Sequence, residues 1–421
     1  MFFKKRRDDS DRRRGLRVSI SKPESLESRT LLSAVSPVTP PRSLLNGYIA
    51  PISLNRPILP LGAAPNSATF IDPTAVIGSP RRVGFGSGDF VGPYVLLLPG
   101  RNEILVGSGT NLQDNVTIRA QSGSVLIGDQ SAIAHGATII GPATIGSPGG
   151  AAAFLGFNAV VDASIVQGNA MVSGLAWVGP GVVIHSGFVV LPGAHVTTQA
   201  EADNPALGMV RKITPADQRF VAGVLHVNDA FASGYASLAQ ESTAFVKGVG
   251  PNPDTSFNSG PALPTVGGFP VFRPNFRDRV IGKVNFAGSL AGVDASLGRF
   301  DSIRGDEGYP LGFAGSDRFA ARVTFHAIEH TAISIGTNDF FGFHSIVHGG
   351  TASATSGSGA VTIFGNDVIL GPYSVVYQSN VGNDVVIGAK SYIQTSSIPS
   401  GTVVPPRSII IGNQYVGKVG W

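Results

Sequence analysis

A six-residue period constrains this chain more than anything else in its sequence. Ile127, Ile133, Ile139 and Ile145 stand six apart, as do Phe154, Val160, Val166, Val172, Val178, Ile184, Val190 and Val196. The interval returns in Ile335, Phe341 and Val347, and again in Ile363, Ile369, Val375, Val381, Ile387 and Ile393. An amphipathic helix repeats near 3.6 and a half-buried strand at 2, so neither fits. A period of six with Gly, Asn or Asp beside the apolar residue marks a parallel β-helix, in which three hexapeptides close a triangular coil of roughly 18 residues. Residues about one coil apart stack on one face. Two histidines 22 positions apart, His326 and His348, therefore become neighbours on an edge once a short corner insertion is allowed.

Composition suits short strands and frequent corners: 55 Gly and 29 Pro in 421 residues, 14% charged and 43% hydrophobic. The formal charge of +4 is concentrated at one end. Residues 1–22 hold nine Lys or Arg against three Asp, which leaves 22 basic and 24 acidic residues in the remainder. The folded part is thus near neutral, and no basic stripe for nucleic acid is expected. With no cysteine there is no disulfide, thiolate metal site or cysteine nucleophile.

Four segments follow. Residues 1–65 read as a basic, Pro-rich tail, disordered or targeting. It has no apolar h-region for a conventional signal peptide and no run of the ~18 residues a membrane span needs. Within it, Ser25-Leu26-Glu27-Ser28-Arg29-Thr30-Leu31-Leu32-Ser33 resembles a segment found near the N-terminus of many large exported bacterial proteins, so export or cell-envelope association is expected, with the cytoplasm as the alternative. Residues 66–240 read as a first β-helix followed by a helix. Pro215 stands at the helix start, and Phe220, Val221, Val224, Leu225, Val227 and Phe231 form an apolar stripe. Residues 241–272, with five Pro and five Gly, read as a linker or crossing segment. Residues 273–421 restart the coil pattern. The expected fold is an all-β solenoid: two tandem left-handed parallel β-helices, 68–200 and 273–416, with the helix packed outside.

Particular fragments carry a resemblance beyond the coil pattern. In the second copy they are Ile303-Arg304-Gly305-Asp306-Glu307-Gly308, His326-Ala327-Ile328-Glu329 and Val347-His348-Gly349. In the first they are Asn111-Leu112-Gln113-Asp114, Ile127 to Gly136, Val196 to Asp203, and on the helix His226-Val227-Asn228, ending at Gly234-Tyr235. Both copies resemble the γ-class carbonic anhydrases, a trimeric left-handed β-helix family of the hexapeptide-repeat (isoleucine-patch) superfamily. The resemblance implies a metal, Zn²⁺ or another divalent ion such as Fe²⁺ or Co²⁺, on three histidines. Two come from one subunit and the middle one from its neighbour.

Carried over position by position, the first and third ligands are His326 and His348, and their places in the first copy hold Arg119 and Ile140. The middle ligand is His135, where the second copy has Phe343. The subunit-tying arginine and aspartate are Arg304 and Asp306, replaced by Leu97 and Pro99 in the first copy. The active-site glutamine and following aspartate are Gln113 and Asp114, lost as Ala320 and Ala321. Glu329 matches the proton-shuttling glutamate and Asn228 the helix asparagine. These losses are complementary, so the two copies together supply one set of residues. The expectation is one composite site between them, with Arg304 and Asp306 meeting Asp114 at the same interface.

A three-imidazole site with an open fourth position brings bound water's pKa to about 7. The expected activity is reversible hydration of CO₂ to bicarbonate, with Glu329 ferrying the proton and Gln113 and Asn228 orienting the reacting oxygens. His344, one position beyond the place of the middle ligand, is the alternative third ligand. His185, His195 and His330 match no ligand position. Two other readings stand beside the enzyme: a decayed β-helical scaffold or binding module, and a hexapeptide acyltransferase. No acyl-binding loop, Walker-type loop or nucleophile elbow supports a further chemistry. Pairing of the copies within the chain is expected, along with a homo-oligomer.

Overall fold

The structure is a computed structural model. It describes residues 69–241, 246–249, 265–266, 269–270, 278–282, 284–286, 297–306, 311–328, 331–350 and 360–421, less Pro73 and Pro148. The tail expected over 1–65, most of the expected linker, Glu329 and His330 lie outside these residues.

Short strands pair with the equivalent strand of the next coil. In the first β-helix one wall runs from Phe70–Ile71 to Phe188–Val190 and is closed by the antiparallel Val210–Lys212. A second wall runs from Val76–Ile77 to His195–Val196, and a third from Val83–Phe85 to Val183–Ile184. Register sets the coil length: Leu112 pairs with Ile133, Ile133 with Leu155, Leu155 with Val172 and Val172 with Val190. In the second β-helix Ile303, Phe325, Val347, Val376, Ile393 and Ile410 form the equivalent row. These side chains fill two separate apolar interiors. Part of the segment expected as a linker is itself structured, because Val246–Val249 pairs antiparallel with Asp278–Gly282 at the edge of the second β-helix. The fold is a hexapeptide-repeat, left-handed parallel β-helix.

The six-residue phase needs one correction. Phe154 and Val160 do not face the interior; Leu155 and Val161 do, both fully buried. Likewise Phe364, Leu370 and Val376 point inward in place of Ile363, Ile369 and Val375, and Ile369 is 45% exposed. The cause is a corner one residue short, with inward positions only five apart from Val161 to Val166 and from Val376 to Val381. Ala163 and Gln378 turn these tight corners at φ 45° and 49°.

One column of corners on each β-helix faces the other. In the first it comprises Tyr94, Asn115, Gly136, Asn158 and Leu175, and in the second Phe300, Arg322, His344, Tyr373 and Lys390, every one at positive φ. Tyr94 meets Phe300 with ring centroids 5.5 Å apart, and the side-chain amide of Asn158 donates to the His344 carbonyl at 3.1 Å. Gly136 lets the columns approach, since a Cβ there would lie 2.8 Å from the His344 ring. At the end of its column, Leu175 packs against Ile346, Val375, Tyr377, Tyr392 and Ile409 of the second β-helix.

A short helix, α1 (Gln199–Asp203), ends the first β-helix, and a long one, α2 (Pro215–Glu241), follows. Thr214 caps α2: its hydroxyl accepts from the Asp217 backbone N–H while the Asp217 carboxylate accepts from the Thr214 N–H at 2.7 Å. The stripe of Phe220, Val221, Val224 and Leu225 covers Ala132, Phe154, Met171 and Val189 on the outside of the first β-helix. Further along the helix, Phe231 and Tyr235 join Phe70 and Phe90 to Ile281 and Ile328 of the second. The helix therefore bridges both bodies. Among the described residues no helix is long and apolar enough to cross a membrane.

Candidate metal centre

The residue after each inward position in a strand points outward. Arg304, His326 and His348 follow Ile303, Phe325 and Val347, so strand register stacks them on one wall of the second β-helix. His135 comes from a corner of the first, two residues beyond the inward Ile133 and beside Gly136. One ring nitrogen from each of His135, His326 and His348 lies within 4.8 Å of the other two, and all three residues are buried. His135 Nε2 stands 3.1 Å from His326 Nδ1.

The far sides of the rings decide which nitrogen carries the proton. His326 Nε2 is 2.8 Å from Asp306 Oδ2 and donates to it, which leaves Nδ1 with a lone pair toward the cluster. His348 Nδ1 donates to the Gly349 carbonyl at 2.6 Å, which frees Nε2. His135 Nδ1 makes no hydrogen bond and lies 3.7 Å from Asp114 Oδ2. Burial holds all three imidazoles neutral, His348 down to about 4, and the neighbouring rings and Arg304 add to the shifts of His135 and His326. Such a set of neutral imidazoles, two of them with the remaining nitrogen on a carboxylate or carbonyl oxygen, fits a small divalent cation. Tetrahedral bonds of about 2.0–2.1 Å would hold the nitrogens about 3.4 Å apart, close to the His135–His326 spacing.

Arg304 ties the site together. Its guanidinium donates to Asp114 and to Gln113 Oε1, at 3.2 Å, on the first β-helix, and to Asp306 Oδ2 at 2.7 Å on its own wall. The rings of Phe90, Phe231 and Tyr235 surround it at 5.3–5.4 Å. Burial opposes its charge, but Asp114 and Asp306 outweigh that and hold Arg304 ionised; burial in turn pushes both carboxyls up. A fully buried pair of this kind is costly to break. Because Arg304 can only donate, Gln113 must accept through Oε1, and its NH₂ remains to serve the cleft. Gln113 and Asn228 line that cleft with the three histidines, and Phe154, Phe157, Phe220, Phe231, Ile328 and Tyr377 make its walls largely apolar.

The structure thus brings His135, His326, His348, Gln113, Asn228, Arg304, Asp306 and Asp114 to one place. It does not bring His344. That residue occupies a corner at φ 59°, so its side chain leaves the coil toward the facing column, where Nδ1 sits 2.9 Å from Asn158 Oδ1 and the ring stacks on Tyr373. The counterparts of Arg304 and Asp306 also need correction. Leu97 faces the core, and strand pairing puts Leu98 in line with Arg119 and Ile140, so Leu98 and Gly100 hold those places, not Leu97 and Pro99. Three contributions were left unassigned in the sequence, that of Tyr235 although it stands among the residues that carry the resemblance. Ser302 donates to Asp114 at 2.7 Å, Tyr235 donates to Asp306, and Arg279 pairs with Asp72 at 2.9 Å as a second buried bridge between the two β-helices. Arg279 stands one coil before Ser302 and in register with it, whereas the place of Arg304 in that coil is held by Ile281.

No protein-family model matches the sequence. The carboxysome assembly protein CcmM of Nostoc sp. is 28% identical over 167 residues, which is 35% of this chain and 28% of that protein's length. A hexapeptide transferase family protein from Anaplasma phagocytophilum is similar over 39% of this chain and 91% of its own, with 22% identity and a TM-score of 0.30. An Arabidopsis UDP-N-acetylglucosamine acyltransferase is similar over 83% of this chain and 74% of its own, with 10% identity and a TM-score of 0.17. The chain is a left-handed hexapeptide-repeat β-helix whose two bodies enclose three buried, neutral histidines.

Proposed function

We propose that the cleft binds a divalent cation such as Zn²⁺ and hydrates CO₂ reversibly, as the resemblance to γ-class carbonic anhydrases implies. The observation that carries this is the convergence of three neutral imidazoles from two β-helices, with two of them fixed in tautomer by their outer hydrogen bonds. A cation held there supplies a water activated for attack near neutral pH. The chain's own residues do the rest. Apolar walls of Phe157, Phe220, Phe231 and Ile328 receive a small uncharged substrate and keep bulk water out. The Gln113 NH₂, oriented by Arg304, donates to oxygen that gains negative charge as CO₂ becomes bicarbonate, and Asn228 acts from the helix side. The proton-carrying role of Glu329 belongs to the same proposal.

Stopped-flow CO₂ hydration by the Zn²⁺-loaded protein tests the reading. Hydration above the buffer rate is expected, with Gln113→Ala lowering kcat/KM about 100-fold. Bound metal without hydration would overturn it. That outcome would favour the second reading, a non-catalytic assembly module, which draws on the printed role of the matched CcmM protein.

A further inference from the structure

His326 Nε2 has two partners within reach, Asp306 and Arg304, and the two arrangements have opposite consequences for metal binding. In one, His326 Nε2–H donates to Asp306 Oδ2, 2.8 Å away, and Nδ1 keeps its lone pair. In the other, Nε2 accepts from the Arg304 guanidinium, whose terminal nitrogen is 3.2 Å away, and the proton moves to Nδ1, where it faces His135 and blocks a ligand position. Both partners are in place, so the orientation of the Asp306 carboxylate decides between them.

That orientation is held from the other body. Tyr235, fully buried near the end of α2, lies with its hydroxyl 3.0 Å from Asp306 Oδ1 and 3.1 Å from Oδ2. A phenol can give only one proton, and placed across both oxygens it pins the carboxylate against rotation about its terminal bond. The guanidinium alone cannot do this, because its two contacts, from Nε at 3.2 Å and the terminal nitrogen at 2.7 Å, both converge on Oδ2. The phenol ring is itself clamped by Phe70 and Phe90 of the first β-helix, with centroids at 5.2 and 5.0 Å.

We propose that Tyr235 is a positioning residue: through Asp306 it holds His326 in the Nε2–H tautomer and so arms Nδ1 as a metal ligand. The inference rests on the metal reading above, and it makes ligand competence in the second β-helix depend on a helix that follows the first.

The test compares wild type with Tyr235→Phe, which keeps the ring and removes the hydroxyl. Three quantities are read: Zn²⁺ affinity by chelator competition, the His326 tautomer in metal-free protein by ring ¹⁵N shifts, and thermal stability without metal. Expected are a gain of the Nδ1–H form and a Zn²⁺ Kd weakened about tenfold or more. A merely structural role would lower metal-free stability and leave the tautomer unmoved, and that result overturns the proposal. Tight wild-type binding with Tyr235→Phe within twofold overturns the role of Tyr235 alone. Failure of wild type to bind Zn²⁺ overturns the metal reading, and this inference with it.

Discussion

The two β-helices present the same ladder with different chemistry. On the second, Arg304, His326 and His348 stand in register on three successive strands; on the first, Leu98, Arg119 and Ile140 hold the matching rungs. At the facing corners His135 is buried against the cluster, whereas Phe343 in the same place is 38% exposed. Backbone geometry is common to both, so it cannot be what makes the site. The outward residue beside each core position decides, and among the described residues the chemistry assembles where the His-bearing wall of one β-helix meets the His-bearing corner of the other.

The largest effect expected from breaking this comparison is at the arginines. Arg304→Met would leave Asp114 and Asp306 buried without their cation and cost about 3–5 kcal/mol. Arg119→Met on the exposed matching rung should change stability by less than about 0.5 kcal/mol in the same urea titration. Equal losses would mean that the first ladder is as deeply engaged as the second.

The corrected phase gives a second contrast, within one strand. Leu370→Ala should cost about 2–5 kcal/mol through the cavity it leaves, and the neighbouring Ile369→Ala little, because Leu370 is buried and Ile369 is 45% exposed. Reversed sizes would restore the uninterrupted period.

A smaller effect concerns pH. Asp339 is buried in the second β-helix with Oδ1 accepting from Val368 N–H and Oδ2 without a partner, and burial raises its pKa to about 8. The folded state then holds a proton that the unfolded state has released, so its contribution is full below about pH 4 and is lost as pH rises through about 8. His344 and His348, both held at about 4, act the other way between about pH 4 and 6.5: there the unfolded chain takes up protons and stability falls as pH falls. Urea unfolding at pH 6.5 and 9 separates the two. Asp339→Asn should lose less stability over that interval than wild type, by at least about 1 kcal/mol. Parallel losses would contradict the protonated carboxyl.

Much of this was legible in the sequence, for physical reasons that also mark where legibility stops. The six-residue interval specifies coils because no helix or flat strand buries that pattern, and the spacing from His326 to His348 is one coil once its insertion is counted. The complementary placement of His135 against Phe343 pointed to a shared site. The phase slips were hidden because Phe154-Leu155, Ile369-Leu370 and Val375-Val376 are apolar pairs, and either member reads as core. Leu97 and Leu98 were confused for the same reason. His344 could be assigned only from backbone geometry, since the same residue at an extended φ would point elsewhere. Tyr235 stands among the residues that carry the resemblance, but its bond to Asp306 left no local signal, because that partner lies 71 residues away in another β-helix.

The most direct test of the composite site is the zinc content of purified wild type beside His135→Ala and His344→Ala, each checked for β-rich circular dichroism. Wild type and His344→Ala should carry about one Zn²⁺ per chain, and His135→Ala should lose it. Zinc retained by His135→Ala and lost from His344→Ala would show that the second β-helix builds its own site, and would contradict a centre shared between the two.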